Sequence, residues 1–329
     1  MKNKPIVFLF SGQGSQYYTM GMDLYASNIL FRRHMDSLDK IARDVIGHSP
    51  LQLIDVENKQ LYEPFTDVPS SSVAIYLIER ALTRCLIDYE IEASIHVASS
   101  MGIYAAATAA GCMDEAEALN IVFEQGKIFR DTCEPGKMIA VLADPALFQH
   151  IPGLQDISDL AGINFDNAFV ISATSSNLPA LNQLLKSFNL TYQEIQAERP
   201  FHSRWILPAK QKLDLLSSQL SDKQPRIPLI CCSSQNPIES FNSSSIWNAV
   251  RQPIMFRDTI LQLEKTGPHC YIDVGPSATM ATLLKYALPA NSASESHVIL
   301  SPLKQSSTKL HQLLRAANKA HHANQYHNI

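Results

Sequence analysis

The sequence predicts an α/β protein in which a parallel sheet is wrapped by helices and a small α+β subdomain is inserted into the larger one. Three observations lead there. Short, largely apolar runs at residues 6–10, 95–99, 227–232 and 270–274 read as strands buried on both faces. Stretches of helical periodicity separate them, as crossovers between parallel strands require. From Gly136 the texture changes to strand, helix, strand, helix, strand within about sixty residues, enough for a separate small unit.

Taken in order, residues 5–10 form the first strand and run into the turn Ser11-Gly-Gln-Gly-Ser-Gln16, followed by a helix-like segment. Residues 70–86 repeat apolar side chains at helical spacing. The strand 95–99 leads into Ser100 and an Ala-rich helix that stops at Gly111, and Asp114 with Glu117 three places on marks the start of the next helix. Strands at 137–142, 169–173 and 191–195, with helices near 145–150 and 179–188, make up the inserted subdomain, placed at 135–199. The large domain then comprises 1–134 and 200–305. Its later strands are 227–232 and 270–274, the second entering Gly275-Pro276-Ser277 and another helix. Residues 306–329 are polar and rich in His and Asn, and are expected to be a solvated tail. The His321-His322 pair has no further ligand spacing, so no metal is expected.

With 329 residues, 46% of them hydrophobic and 18% charged, the chain can bury a large core. A net charge of −4 and the lack of any Lys/Arg run argue against a nucleic-acid partner. The six cysteines show no metal or redox spacing, and several lie in apolar runs, as reduced and buried thiols do. The apolar stretch 6–10 is too short for a signal peptide and no run reaches membrane-spanning length. A soluble, cytoplasmic, monomeric protein without a metal or redox cofactor is expected.

Chemistry concentrates at Val97-Ala-Ser-Ser-Met-Gly102. A tight strand-to-helix turn that projects a serine tolerates only small residues two places to either side, which Ala98 and Gly102 satisfy for Ser100. Ser99 fails because Met101 occupies its +2 place. Among 11 histidines, His202 follows the inserted subdomain in the loop Arg199-Pro-Phe-His-Ser-Arg204 and becomes a candidate base if a serine meets it. An oxyanion hole would need two backbone N–H groups, one from Met101 and a second from the Gly12-Gln13-Gly14 turn. The rival reading of that turn, a dinucleotide site, lacks its third Gly, where Tyr17 stands.

Phe10-Ser-Gly-Gln-Gly-Ser-Gln16 with Met20-Gly21 resembles the N-terminal signature of the malonyl-CoA:acyl-carrier-protein transacylase family. Ser100 falls where that family has its Gly-His-Ser-Leu-Gly serine. Gly136-Lys-Met-Ile-Ala140 resembles the entry to its small subdomain, and Phe201-His202-Ser203 its base motif. Trp247 to Phe256, with Pro253, and Asp273-Val-Gly-Pro276 resemble later landmarks. The resemblance implies an α/β-hydrolase-like large domain, a ferredoxin-like subdomain, and a Ser100–His202 dyad whose imidazole is oriented by a backbone carbonyl near Ala249. Gln13 and Met101 would supply the oxyanion hole, and an acyl-serine would form.

Departures from the family pattern bear on substrate. The family's malonyl transferases pair the extender carboxylate with an Arg; ungapped counting from the serine puts Gln125 at that place, followed by Gly126 as that Arg is by Gly. Gln cannot neutralise a carboxylate, and a carboxylate buried without a cation is costly. Gln125 shares a helical face with Ile121, Val122, Ile128 and Phe129, consistent either with a pocket role or with a buried amide satisfied by backbone. Ser99 and Ile103 replace the family's His and Glu beside the serine, and with Phe201 are expected at the pocket. The set is similar to acyl hydrolases that accompany polyketide synthases with separate acyltransferases, which implies removal of acetyl and other non-carboxylated acyl groups from the phosphopantetheine of acyl carrier proteins. A transacylase for neutral or malonyl-type groups, and a non-catalytic carrier-binding module, remain as alternatives. An acidic carrier would meet cations such as Lys127, Arg130 and Lys285.

Overall fold

The computed structural model describes residues 4–56, 59 and 63–325, with backbone alone from 318. The first half contains β1 (Ile6–Phe10), α1 (Met22–Ser27), α2 (Ile29–Ile46), α3 (Pro50–Ile54), α4 (Val68–Asp88), β2 (Ile95–Ala98), α5 (Gly102–Ala109) and α6 (Glu115–Thr132). The inserted unit holds β3 (Gly136–Leu142), α7 (Leu147–His150), α8 (Leu154–Ile157), β4 (Asp159–Phe165), β5 (Ala168–Thr174), α9 (Leu178–Ser187) and β6 (Thr191–Glu194). The chain then returns through α10 (Lys210–Ser217), β7 (Leu229–Cys231), α11 (Ser243–Arg251), α12 (Phe256–Glu264), β8 (Cys270–Asp273), α13 (Thr279–Ala287), β9 (Glu295–Val298) and α14 (Ser306–Gln325).

β7-β2-β1-β8-β9 form one sheet, parallel throughout. Its central strands are apolar on both faces because helices cover both. Val7, Leu9 and Val97 pack on α12 and α13, whereas Phe8, Phe10 and Ala98 pack on the helical layer around α4. The strand order reverses beside β1, since β2 and β7 lie to one side and β8 and β9 to the other. The turns after β1, β2 and β8 therefore open at one crevice, where such sheets bind ligands.

The inserted unit is a βαββαβ arrangement with antiparallel sheet order β4-β5-β3-β6, the ferredoxin-like pattern. Period-2 alternation divides β3 cleanly. Ile139 and Val141 join Phe169, Ile171, Leu181 and Leu185 in a core beneath α9, whereas Met138 and Ala140 face the large domain. β4 carries no strong strand signature: Gly162 and Asn164 interrupt its apolar residues, and its register with β5 shifts twice.

The C-terminal expectation needs correction. Residues 306–325 form α14, capped where Ser306 N and Oγ each donate to Asp23 at 2.9 Å, and Leu310 and Leu313 are buried in the main core. Composition hid the apolar stripe Leu310, Leu313, Leu314 and Ala317, whose three- and four-residue spacing makes one helix face. The side chains of His321 and His322 lie outside the described residues. The six cysteines are free and buried, and no described helix is long and apolar enough to cross a membrane.

Candidate active site

Ser100 sits between β2 and α5 with a φ of 53°, in the left-handed region that a side chain enters at a cost of about 1–3 kcal/mol. The bend is held from two sides. Ser99 N donates to Phe10 O at 2.9 Å, and Gly102 lies so close to β1 that a Cβ there would stand 2.5 Å from Ser11 O and 2.6 Å from Phe10 O. The small residue two places after the serine thus lets the first turn of α5 pack on the end of β1.

His202 also has a positive φ, 58°, and is 1% exposed. Its Nε2 lies 2.9 Å from Ser100 Oγ, and its Nδ1 lies 2.7 Å from the carbonyl oxygen of Gln252. That carbonyl can only accept, so the proton resides on Nδ1 and Nε2 is left to accept from the serine. The orienting carbonyl is therefore Gln252, not Ala249. Ala249 is still within α11, where its carbonyl runs along the helix, whereas Gln252 follows the helix end and its C=O is free to turn outward. The backbone of His202 is fixed separately, its N–H donating to Val250 O at 3.1 Å. Burial pushes the imidazole down to about 4, opposed by the Gln252 hydrogen bond, so His202 is neutral at pH 7.

The β1 turn closes over this pair. Gln13 Nε2 donates to Ser72 Oγ at 2.6 Å and approaches Met101 Sδ at 3.9 Å, so Gln13 and Met101 are brought together. Their backbone N–H groups have no protein acceptor among the described residues. Sequence reasoning missed what anchors the turn. Glu79, fully buried in α4, accepts from Ser11 N at 2.6 Å and from Ser11 Oγ at 2.8 Å. Asp273 accepts from Gly275 N and Ala281 N at 2.9 and 2.8 Å, and burial pushes its carboxyl up to about 6. Gln16 donates to Phe65 O and to Gln196 O, tying the turn to the end of the small sheet. The available signal for Glu79 was the one Glu of α4, set directly after the apolar run 73–78.

Between the two sheets lies a cavity of about 620 Å³ that reaches Ser99, Ser100, Phe201 and His202. Met138, Ala140, Val170 and Ile195 of the small subdomain supply an apolar wall. No Lys or Arg lines it among the described residues; Glu194 is its one formally charged side chain. Phe201 packs edge-to-face on Phe129, with centroids 5.1 Å apart. Ile103 stands outside the cavity, wholly buried in the main core, because three residues along α5 the helix has turned inward. Gln125 is 4% exposed and does not reach the cavity wall; its Oε1 accepts from the fully buried Tyr104 hydroxyl. The Arg199 guanidinium is spent elsewhere, donating to Phe129 O, Arg130 O and Glu198 O around the last turn of α6. Among the docking candidates, Lys127 pairs with Glu124 and Arg130 with Asp131, while Lys285 lies over the Tyr286 ring on α13, the helix that lines the cavity with Thr279, Met280 and Leu283.

The model of the acyl transferase domain family matches residues 7–326. The chain belongs to the acyl transferase family. It is 36% identical to the polyketide biosynthesis acyltransferase homolog BaeD of Bacillus velezensis, over 94% of this chain and 96% of that protein. The homolog PksD of Bacillus subtilis is likewise 36% identical, over 92% and 94%. The fold matches the acyltransferase domain from the second module of the salinomycin polyketide synthase with a TM-score of 0.83 at 21% identity, covering 93% of this chain and 71% of that one. Acyltransferases of this family act on acyl thioesters, and a buried neutral imidazole on a serine is chemistry suited to that bond.

Proposed function

We propose that the protein is an acyl hydrolase of polyketide biosynthesis that removes acetyl and other non-carboxylated acyl groups from the phosphopantetheine arm of acyl carrier proteins in the cytoplasm. The observation that carries this reading is a cavity at Ser100 with no cation in its wall among the described residues. A malonyl-type carboxylate would be desolvated there without a partner, at several kcal/mol, whereas a neutral acyl chain meets an apolar surface. The two Bacillus relatives named for polyketide biosynthesis support the pathway class.

In this reading, Ser100 Oγ passes its proton to His202 Nε2 and bonds to the thioester carbonyl carbon. The oxygen, now negative, is held by the N–H groups of Gln13 and Met101. Collapse breaks the C–S bond, and the protonated imidazole returns its proton to the departing thiol. Water, deprotonated by His202, then attacks the acyl-serine, and the carboxylic acid leaves as Ser100 regains its proton. A transfer reaction differs only in the second nucleophile, a carrier thiol in place of water.

The test incubates the protein with acetyl- and malonyl-loaded carrier protein, with and without an unloaded acceptor, and follows acyl groups by mass spectrometry. Free acetate without acceptor, and little malonate, is the expected result. Acetyl appearing only on the acceptor makes the protein a transacylase. Efficient malonyl turnover, or none of either, overturns the reading. Ser100→Ala should lose both acyl-enzyme and turnover.

A further inference from the structure

The small sheet does not end at its edge strand β4. Ile254, between α11 and α12, pairs with it in parallel: Ile163 N donates to Ile254 O, and Ile254 N donates to Ala161 O, both at 2.8 Å. The same stretch of chain is fastened at three further points. Val250 O accepts from His202 N and Gln252 O from His202 Nδ1, while Met255 N donates to Cys232 O at 2.9 Å, just beyond β7. Residues 250–255 thus connect the imidazole, the small sheet and the large sheet through backbone alone.

This pairing depends on Gly162. A Cβ at that position would stand 2.8 Å from Ile254 O and 3.1 Å from Ile254 Cβ, and a backbone oxygen cannot swing aside as a side chain can. The register of β4 with β5 shifts on both sides of Gly162, between Leu160 and Gly162 and between Ile163 and Phe165. These irregularities turn the strand's outer hydrogen-bonding edge toward the loop rather than toward solvent.

We propose that Gly162 is a positioning residue for His202: its close approach splints residues 250–255 against the small sheet and so sets the direction of the Gln252 carbonyl. The inference rests on the reading of Ser100 and His202 as the reacting pair. Rotating that carbonyl away frees Nδ1 to lose its proton to the other ring nitrogen, and Nε2 then no longer accepts from the serine. The small subdomain therefore aims the base as well as walling the cavity.

The experiment uses the full chain and a fluorophosphonate probe, independent of any acyl substrate. Ser100 Oγ bonds to phosphorus, the P–F bond breaks, and the serine proton leaves through His202 with fluoride. Wild type should be labelled at Ser100, and Gly162→Ala about 10- to 100-fold more slowly. Leu185→Ala, at a fully buried position of α9, should lose thermal stability yet label at the wild-type rate. In ¹⁵N-histidine-labelled protein, the downfield Nδ1–H resonance of His202 should move in Gly162→Ala and stay in place in Leu185→Ala. Equal labelling of Gly162→Ala and wild type, or equal slowing of both variants, overturns the proposal. If Gly162→Ala does not fold, hydrogen exchange of wild type decides: an Ile254 amide protected like the β4–β5 ladder supports the splint, and a fast-exchanging one refutes it. A folded wild type that resists labelling refutes the reacting pair itself, and the splint with it.

Discussion

Gln125→Arg puts the proposed substrate class to its sharpest test. Gln125 accepts from the Tyr104 hydroxyl, and both residues are buried, so an arginine, which has only donors, strips that hydroxyl of its acceptor at about 1–3 kcal/mol. Gln125 itself stops short of the cavity, so the test asks whether the longer side chain reaches it; if so, its guanidinium enters a wall that offers no other cation among the described residues. A malonyl group on Ser100 would supply the missing anion, and a charge-assisted hydrogen bond of about 1.5–3 kcal/mol corresponds to a shift of about 10- to 150-fold in the malonyl-to-acetyl ratio of kcat/KM. The assay is a competition between acetyl- and malonyl-carrier protein, read as acyl-Ser100 by mass spectrometry. The variant should melt several degrees lower than wild type and recover part of that loss on malonylation, because the adduct pairs a cation that is otherwise buried alone. A folded variant with an unchanged acetyl preference would remove position 125 from substrate selection.

Three further outcomes follow from the geometry. Because His202 is held neutral down to about 4, kcat/KM for acylation should stay level from neutral pH to about 5 and decline as pH falls through about 4, measured with a carrier-protein thioester. Gly102→Ala drives a methyl into the carbonyls of Phe10 and Ser11 and should yield little folded protein, assessed by soluble expression and melting temperature. Leu313→Ala should lower unfolding free energy by about 2–5 kcal/mol in urea titration, the cost of a cavity where α14 meets the core; no loss would mean that the helix is dispensable.

What the amino-acid pattern revealed was whatever local sterics or burial dictate. Largely apolar runs gave the central strands, and Ala98 and Gly102 marked the bend at Ser100, because both signals reside in side chains next to the feature they specify. Features set by backbone or by distant partners stayed hidden. The carbonyl of Gln252 leaves no signature in residue type, so resemblance alone pointed only to the neighbourhood of Ala249. Strand β4 owes its existence to pairing with β5 and Ile254, which outweighs the weak local preference of a Gly- and Asn-containing stretch. Ile103 shows the reverse error: adjacency to the serine in sequence suggested the pocket rim, while the pitch of α5 carries it into the core.

Both Ser100 and His202 occupy backbone conformations that their side chains resist, and the surrounding hydrogen bonds exist largely to hold them there. Relaxing either bend would make a sturdier chain and an idle one. Robustness and reactivity therefore pull in opposite directions at the serine, and variants selected only for heat tolerance should drift toward glycine at position 100, whereas at position 202 the cavity left by the buried imidazole offsets the relief.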